Sequence, residues 1–443
     1  MKPAKPSPTD EASPAGLGAR RAAYLVLRAV QEGQPFDQAL GRALSGLKEA
    51  DRRLAHELAA GVLRQRTDLD ARLQPLVHRG WSSVTPELRD VLRLGAYQLS
   101  ALDRIPPHAA VSTTVDLARI ALGEKAARFA NAILRGMGGR AAPPPISTDP
   151  AAHLADRYSH PEWLVRRWIA RFGQEETEQL LAWDNRRPPL VLQPARESLD
   201  ALQRRLWEHG IGAKRAPFGA GLLLDSTRPA ELPGYADGAF VVQEGAQALV
   251  CRFAAVPPGG TVYDACAAPG GKAIALGRTA RLVCAGELKP ERARRLAENL
   301  RRAGSGREVA IIASAARPPV RPVDLVLLDA PCLGTGTLAR HPDARWRVNV
   351  DALARLANQQ RELLDAVGPA VRRGGCLVYA TCSLEHEENE AQVTAFLERH
   401  PEFHRDPGDA VPAELLTPAG DLLLLPHRHA VDGAYAARLR KAA

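Results

Sequence analysis

The chain has 443 residues, which is too long for one ordinary domain and predicts two to four. Hydrophobic residues make up 45% of it and charged residues 25%, so the chain can bury real cores. The formal net charge is +9, and residues 1–140 alone carry +7, from 21 basic and 14 acidic side chains. This balance favours an anionic partner, although a solvated basic face is an equally good interpretation of the composition.

The sequence also argues against two classes of protein. It contains no run of about 18 apolar residues, which predicts that no segment spans a membrane. Residues 1–18 lack the apolar stretch of a signal peptide and contain four prolines, so we expect a disordered tail. The cysteines have neither CxxC nor zinc-like spacing, so we expect no metal site and a reduced, cytoplasmic protein. These cysteines are Cys251, Cys266, Cys284, Cys332, Cys376 and Cys382.

Residues 19–140 predict a small all-helical domain. Apolar side chains recur there at the spacing of one helix face, and no strand-like alternation interrupts them. One of these helices begins at Thr85-Pro86. The apolar sets are Ala22, Leu25, Val26 and Ala29; Leu54, Leu58 and Val62; Leu88, Val91, Leu92 and Leu99; Val111, Val115 and Ile120; and Phe129, Ile133 and Leu134.

A linker and a small α+β module follow. Gly138-Gly139 and Pro143-Pro144-Pro145 interrupt the helical pattern, which predicts a linker. Residues 150–237 then mix both periodicities and predict a separate module. Its predicted helices are Trp163–Arg171, Glu175–Asn185 and Leu199–His209, and its predicted strands are Leu190–Gln193 and Gly221–Asp225.

Strands and helices alternate from residue 238 to the end of the chain. Such alternation predicts a doubly wound, Rossmann-like α/β domain over residues 238–443. Helices are expected near 289–302 and 351–372. The expected parallel strands are Thr261–Ala265, Leu282–Glu287, Val309–Ile312, Leu325–Leu328 and Cys376–Ala380.

The first of these strands runs into a glycine-containing loop, Asp264–Lys272. Ligands of doubly wound sheets bind at the carboxyl ends of the strands. Gly270 and Gly271 would let the backbone approach a ligand, and Asp264 could bind a charged ligand group. An ordinary tight turn is the alternative for the glycine pair alone, but the nine-residue string is far more specific.

An acidic residue, Glu287, ends the next strand. A carboxylate in this place can accept hydrogen bonds from both hydroxyls of a ribose. Alternatively, it is the favourable acid at the start of the helix after Lys289-Pro290. No Walker-type Lys-Ser/Thr follows the glycine loop, which argues against a nucleoside triphosphate. Loop and acid together indicate a nucleoside-containing cofactor.

Two further strands end in cysteine-containing strings. Asp329-Ala330-Pro331-Cys332 follows one buried strand and Thr381-Cys382-Ser383 follows another. A thiolate that adds to C6 of cytosine makes C5 electron-rich enough to take a methyl group from a sulfonium donor. A carboxylic acid can then supply a proton near N3, and Asp329 is the candidate. These strings therefore predict cytosine-C5 methylation.

Two other interpretations of these cysteines stay open. A single buried cysteine is more often a structural thiol, although the strand-end position favours catalysis for Cys332 and Cys382. A disulfide between the two is conceivable, but a reducing cytosol argues against it. The other four cysteines are expected to be structural.

At these residues the sequence resembles the NOL1/NOP2/Sun family of RNA cytosine-C5 methyltransferases. Asp264–Lys272 is similar to the family's S-adenosylmethionine loop, and the two cysteine strings are similar to its catalytic strings. Gly238–Gln247 resembles the segment that opens its catalytic domain, and Asp432-Gly433-Ala434-Tyr435 resembles its last strand motif. Upstream, Ser159–Leu164 with Asn185–Leu190 resembles its small RNA-binding subdomain.

The helical region adds a second resemblance. Leu88–Met137 is similar to the NusB RNA-binding domain, and this fusion points to the bacterial branch of Fmu/Sun-type enzymes that act on small-subunit ribosomal RNA. The resemblance implies that Cys382 is the nucleophile, that Cys332 assists its release and that Asp329 is the third catalytic residue. We expect a monomer that binds ribosomal RNA and S-adenosylmethionine. The implied cofactor residues are Asp264, Cys266, Ala267, Ala268, Pro269, Gly270, Gly271, Lys272, Glu287, Ser314, Asp329 and Pro331.

The chain departs from the family pattern in three places. Glu287 stands where Asp is usual, Ala313–Ala316 replaces a stretch that often carries an Asp for the adenine, and Ala434-Tyr435 stands where two aromatics are common. DNA cytosine methyltransferases use the Pro-Cys cysteine as nucleophile, which makes Cys332 the alternative. The same chemistry on transfer RNA and a non-catalytic assembly factor are the competing functions. The NusB-like domain argues against the first, and the intact catalytic strings argue against the second.

Overall fold

The computed structural model describes residues 16–137, 147–225 and 228–443. The predicted linker at 138–145 and most of the predicted tail lie outside these ranges. The chain divides into two compact units, which are described one at a time. The first extends to Arg186 and also contains His341–Arg347, and the second comprises Arg187–Arg340 and Val348–Ala443.

The first unit is helical, as predicted. Thr85 caps the fifth helix by accepting a hydrogen bond from the Leu88 amide, and Pro86 occupies the first helical position. The prediction of a buried helix face is wrong for two side chains, because Leu25 is 49% exposed and Ile120 is 60% exposed. The helices are α1 (Leu17–Gln31), α2 (Phe36–Ala43), α3 (Glu49–Arg64), α4 (Arg66–Leu73), α5 (Pro86–Ala101), α6 (Pro107–Leu122), α7 (Glu124–Met137), α8 (Pro150–Tyr158), α9 (Glu162–Phe172) and α10 (Gln174–Asp184).

The last three of these helices differ from the sequence-based domain boundaries. α8 was not predicted, and α8–α10 lie in the first compact unit, whereas the prediction grouped residues 150–237 in one module. The fully buried Arg345 guanidinium lies in the same unit and donates to Asn185 Oδ1 at 2.7 Å and to the Asp184 carbonyl at 3.0 Å. Burial lowers the pKa of Arg345 to about 10, and these acceptors offset the cost of removing its charge from water. Sequence periodicity cannot reveal such distant partners.

The second unit begins with a small antiparallel sheet. Its strands are β1 (Leu190–Pro194), β2 (Lys214-Arg215), β3 (Leu222–Leu224) and β4 (Phe240–Val242), in the order β2-β3-β1-β4. Helix α11 (Leu199–Glu208) packs its buried Leu202 and Leu206 with the sheet core. β2 and β4 were not predicted because each is too short to display an alternating pattern. β4 also extends this sheet past residue 237, where the predicted module ended.

A large sheet forms the rest of the second unit, in the order β10-β12-β9-β8-β5-β6-β7, with β11 beside β12. Five consecutive strands of this order, from β9 to β7, are parallel, which confirms the predicted α/β class. The strands are β5 (Thr261–Asp264), β6 (Leu282–Glu287), β7 (Glu308–Ile312), β8 (Val323–Asp329), β9 (Val371–Thr381), β10 (Phe403–Arg405), β11 (Leu422–Leu424) and β12 (Ala434–Lys441).

Helices and buried side chains cover this sheet. The predicted helix at 351–372 ends at Val367, because residues from Val371 onward already pair with β8. β12 runs antiparallel to β9, a direction that the sequence did not indicate. The helices are α12 (Gly245–Ala254), α13 (Gly271–Gly277), α14 (Pro290–Ala303), α15 (Val350–Val367), α16 (Glu390–Arg399) and α17 (Pro426–His429). Among the described residues, no helix combines the length and apolarity that crossing a bilayer requires.

Candidate active site

The strand order of the large sheet determines where a site can form. The chain passes from β5 outward through β6 to β7, then returns to place β8 on the other side of β5. At such a switch point the loops after two adjacent parallel strands diverge and leave a crevice. The loops after β5, β6, β8 and β9 bring Asp264, Glu287, Asp329, Cys332 and Cys382 to the same edge, as predicted. Ser314 follows β7, the outermost parallel strand.

Asp264, the last residue of β5, is a buried acid that the backbone of Cys266 approaches. It is 0% exposed, and neither of its oxygens accepts a hydrogen bond of ordinary geometry from the described part of the chain. Burial raises its pKa to about 7, more than the nearby Lys272 lowers it. An unpaired buried carboxylate is costly, and a cationic ligand group such as an ammonium would remove that cost.

The loop after Asp264 is fixed from the side of α14. Asn299 Nδ2 donates to the Pro269 carbonyl at 2.8 Å, and an Arg292 guanidinium nitrogen donates to the Ala268 carbonyl at 3.2 Å. Gly270 has φ +113°, a conformation in which a side chain would be strained. Gly270 therefore allows the tight turn that these hydrogen bonds fix. The turn lies at the carboxyl end of β5, the edge at which ligands of doubly wound sheets bind.

The contacts of Glu287, the acid at the end of β6, are compatible with both interpretations, ribose binding and stabilisation of a helix start. Glu287 is 5% exposed, and its Oε1 accepts a hydrogen bond from the Lys289 amide at 3.0 Å. This is the helix-start contact that the alternative interpretation expected. Its Oε2 lies 3.5 Å from an Arg292 nitrogen. The hydroxyl of Ser314 accepts from the Ala316 amide at 3.3 Å, a contact within its own turn.

Lys272 and Asp329 form an ion pair across the switch point. Lys272 Nζ lies 2.6 Å from Asp329 Oδ2, and both side chains are largely buried. Burial lowers the pKa of Lys272, but the pair with Asp329 outweighs it, so the net pKa is above its ordinary value. The sequence placed Lys272 with the cofactor and did not suggest this contact. The adjacency of β5 and β8 produces it, since each residue belongs to the loop after one of those strands.

The two cysteines of the catalytic strings lie side by side. Cys332 Sγ is 3.4 Å from Cys382 Sγ, and both thiols are free. The pKa of Cys332 is raised well above its ordinary value, first by the hydrogen bond with Cys382 and then by burial. The two sulfurs therefore lie within hydrogen-bond distance of each other, and Cys332 is held in its neutral thiol form.

The remaining cysteines have the character expected of structural thiols. Burial raises the pKa of both Cys251 and Cys266 to about 12, and it also raises the pKa of Cys284 and Cys376. A neutral thiol is a poor nucleophile. Within the described residues, no group of three or more His, Cys, Asp or Glu side chains is arranged to bind a metal ion.

A glycine contact explains part of the last strand motif. The Gly433 amide donates to the Gly336 carbonyl at 2.7 Å. A Cβ added to Gly336 would lie 2.6 Å from the Gly433 carbonyl oxygen, and one added to Gly433 would lie 2.6 Å from Gly336 Cα. Only two glycines allow this approach, which joins the segment after Cys332 to the start of β12.

Comparison with known proteins adds the family. The chain matches three family models: "16S rRNA methyltransferase RsmB/F" over residues 254–440, "NusB family" over 17–138, and the RsmF/B-like ferredoxin-like domain over 160–231. A Synechocystis protein named "Probable ribosomal RNA small subunit methyltransferase B" is 35% identical over 96% of this chain and 100% of its own length. The chain belongs to the RsmB/F methyltransferase family.

A further relative agrees with this assignment, and two solved structures share the fold. The Vibrio cholerae protein named "Ribosomal RNA small subunit methyltransferase B" is 34% identical over 95% of this chain and 96% of its own. The crystal structure of PH0851 covers 97% of this chain and 99% of its own at 25% identity, with a TM-score of 0.82. The structure titled NSun6 from Pyrococcus horikoshii with SFG has a TM-score of 0.57 at 20% identity, covers 64% of this chain and 98% of its own, and shows a shared fold alone.

Proposed function

We propose that this protein transfers a methyl group from S-adenosylmethionine to carbon 5 of a cytosine in small-subunit ribosomal RNA. The observation that carries the proposal is the 3.4 Å separation of Cys332 and Cys382, at the switch-point edge that also contains the Lys272–Asp329 pair. The names of the RsmB/F relatives support ribosomal RNA as the substrate. We further expect the protein to act in the cytoplasm as a monomer.

The residues at the strand ends fit the cofactor. Asp264 supplies an unpaired carboxylate for its amino group, and Glu287 supplies an acid at the ribose position of the fold. The loop 266–272 provides backbone for the part between them. Bound S-adenosylmethionine supplies an electrophilic methyl group, and all other chemistry belongs to the protein and the RNA base.

Cysteine chemistry makes the base reactive. The Cys382 thiolate forms a bond to C6 of the ring, and the electrons of the C5–C6 double bond become available at C5 for the methyl group. Charge that develops toward N3 is stabilised by the Lys272–Asp329 pair. With S-adenosylhomocysteine as the leaving group of methyl transfer, a base then takes the C5 proton. The electrons of the C5–H bond restore the C5–C6 double bond as the sulfur–C6 bond breaks and its electron pair returns to the Cys382 sulfur. Each bond that forms is later broken except the new carbon–carbon bond.

The raised pKa of Cys332 favours Cys382 as the nucleophile. Cys332 stays a protonated thiol that donates to its neighbour, because the hydrogen bond and burial both stabilise the neutral form. Cys382 is therefore the proposed attacking group, and the Cys332 thiol, 3.4 Å away, is placed to assist when the enzyme leaves.

The direct test is methylation of protein-free small-subunit ribosomal RNA by the purified protein, read by bisulfite sequencing. We expect a resistant cytosine that needs S-adenosylmethionine and that disappears with Cys382→Ala. Methylation of transfer RNA but not of ribosomal RNA would show that transfer RNA is the substrate instead. Binding of the RNA without methylation would indicate an assembly factor.

Replacing Glu287 tests the cofactor assignment. We expect Glu287→Ala to weaken S-adenosylmethionine binding by about 1–3 kcal/mol, because ribose hydroxyls would lose their acceptor. Isothermal titration calorimetry measures this. Glu298→Ala, at an exposed acid on the neighbouring helix α14, is the control and should bind normally. Equal affinities of both variants would mean that Glu287 serves only the start of α14.

One helix of the first unit carries a basic stripe suited to RNA. Lys125, Arg128 and Arg135 are exposed and share one face of α7, and none forms an ion pair with another described residue. We expect their triple replacement by Ala to weaken RNA binding and to lower the slope of log K against log salt by about 2.

The matched control removes the same charge from ion-paired positions. Arg53, Arg72 and Arg119 each lie within 4 Å of a carboxylate on the same unit, so their replacement by Ala should change the salt slope little. Fluorescence anisotropy over a salt series measures both proteins. Identical slopes for the two triple variants would place the RNA contact on another surface.

A further inference from the structure

The turn that carries Cys332 is fixed by two buried side chains outside the catalytic strings. The Leu333 amide donates to both carboxylate oxygens of Glu388, at 3.0 and 3.2 Å. Gln360 Nε2 donates to the Pro331 carbonyl at 2.8 Å and to Glu388 Oε1 at 2.9 Å. Glu388 and Gln360 are both 0% exposed. The backbone on each side of Cys332 therefore has a fixed partner.

The turn that carries Cys382 is fixed by Asn389, the residue that follows Glu388. The Thr381 hydroxyl donates to Asn389 Oδ1 at 2.6 Å, and Asn389 Nδ2 donates to the Ser383 carbonyl at 2.9 Å. Asn389 is also 0% exposed. The residues before and after Cys382 thus both bind one amide side chain.

We propose that Glu388 and Asn389 are positioning residues that set the separation of the two catalytic sulfurs. The two residues are consecutive, so one short segment between β9 and α16 forms hydrogen bonds with both cysteine turns. Neither side chain reaches a sulfur, since its polar atoms are engaged with the backbone and with side chains that flank the cysteines. Gln360 on α15 completes the brace by linking the Glu388 carboxylate to the Pro331 carbonyl.

The chemical consequence rests on the proposed function. Release of the methylated base requires Cys332 beside the sulfur that is bound to C6. If the brace loosens, Cys332 moves away from Cys382, and release slows while attack continues. The expected result is a partial accumulation of covalent protein–RNA adduct, without loss of the nucleophile.

The separation itself can be measured without RNA or cofactor. Diamide takes two electrons and two protons from the Cys332 and Cys382 thiols, and one sulfur–sulfur bond forms as diamide becomes the hydrazine. Peptide mass spectrometry identifies the Cys332–Cys382 link among the other cysteines. The rate of this reaction reports how often the two sulfurs lie in contact in the folded protein.

Three variants separate positioning from other roles. We expect Glu388→Ala and Asn389→Ala each to slow the cross-link about tenfold, the effect of losing a buried hydrogen bond. Glu388→Gln should stay close to the unaltered rate, because its amide oxygen can still accept from the Leu333 amide and from Gln360. Gln392→Ala is the matched control, since that buried side chain donates to the Glu387 carbonyl in the same segment and, among the described residues, forms no hydrogen bond with either cysteine turn.

The outcomes distinguish this proposal from the one it rests on. Circular dichroism and thermal unfolding identify any variant that fails to fold. If Glu388→Ala is such a variant, the cross-linking rates of Glu388→Gln and Gln360→Ala are compared instead. An unchanged cross-linking rate in folded Glu388→Ala and Asn389→Ala overturns the positioning role, whatever the enzyme does. A slowed cross-link with no RNA adduct in any variant, Cys332→Ala included, supports positioning and rejects covalent catalysis. A loss of activity in Glu388→Gln equal to that in Glu388→Ala would make Glu388 a proton-transfer group instead.

Discussion

Cys382→Ala is expected to lose methyl transfer by on the order of 10⁴-fold or more, because the proposed nucleophile that forms the bond to C6 is removed. The same variant should form no covalent complex with RNA on a denaturing gel. Incorporation of labelled methyl groups into small-subunit ribosomal RNA measures the first effect. Cofactor and RNA affinities should stay within a few-fold, since the thiol contributes little to binding.

Cys376→Ala is the matched control for this experiment. Cys376 lies on the same strand, β9, and is buried, and burial raises the pKa of its thiol. We expect this variant to keep its activity apart from a small loss of stability. Full activity in Cys382→Ala would remove the nucleophile role from this residue.

Cys332→Ala is expected to give the second large effect, and with the opposite appearance. Attack and methyl transfer should proceed, but release should stall, so that a protein–RNA complex survives denaturation while turnover falls. The reason is the position of Cys332, whose sulfur lies 3.4 Å from the attacking sulfur, within hydrogen-bond distance of it. A gel shift that nuclease digestion reverses measures the trapped complex.

The pair of variants also decides between the two possible nucleophiles. Trapped complexes in Cys382→Ala and none in Cys332→Ala would exchange the roles of the two cysteines. Activity in both single variants, without any adduct, would exclude covalent catalysis. The double variant Cys332→Ala/Cys382→Ala should show neither adduct nor turnover.

Local sequence determined a large part of this protein. The apolar runs located β5, β6 and β7 to within a residue or two, because each of these parallel strands is a short and mostly apolar segment bounded by turn residues. Helix starts such as Thr85-Pro86 were equally clear, since capping depends on neighbouring residues only. The cysteine strings at the ends of β8 and β9 indicated the chemistry, because they combine a nucleophile with an acid at the ligand-binding edge of a sheet.

Tertiary structure alone decided which of these segments meet. Strand order placed β5 beside β8, and so brought Lys272 to Asp329, a contact between residues 57 positions apart. Tertiary packing also placed Glu388 and Asn389 against the two cysteine turns, and Arg345 beside Asn185 in the first unit. Periodicity records which face of an element is buried, whereas the partner across a buried hydrogen bond depends on the pairing of distant elements. For that reason the reactive groups could be predicted from the sequence, whereas the contacts that orient them could not.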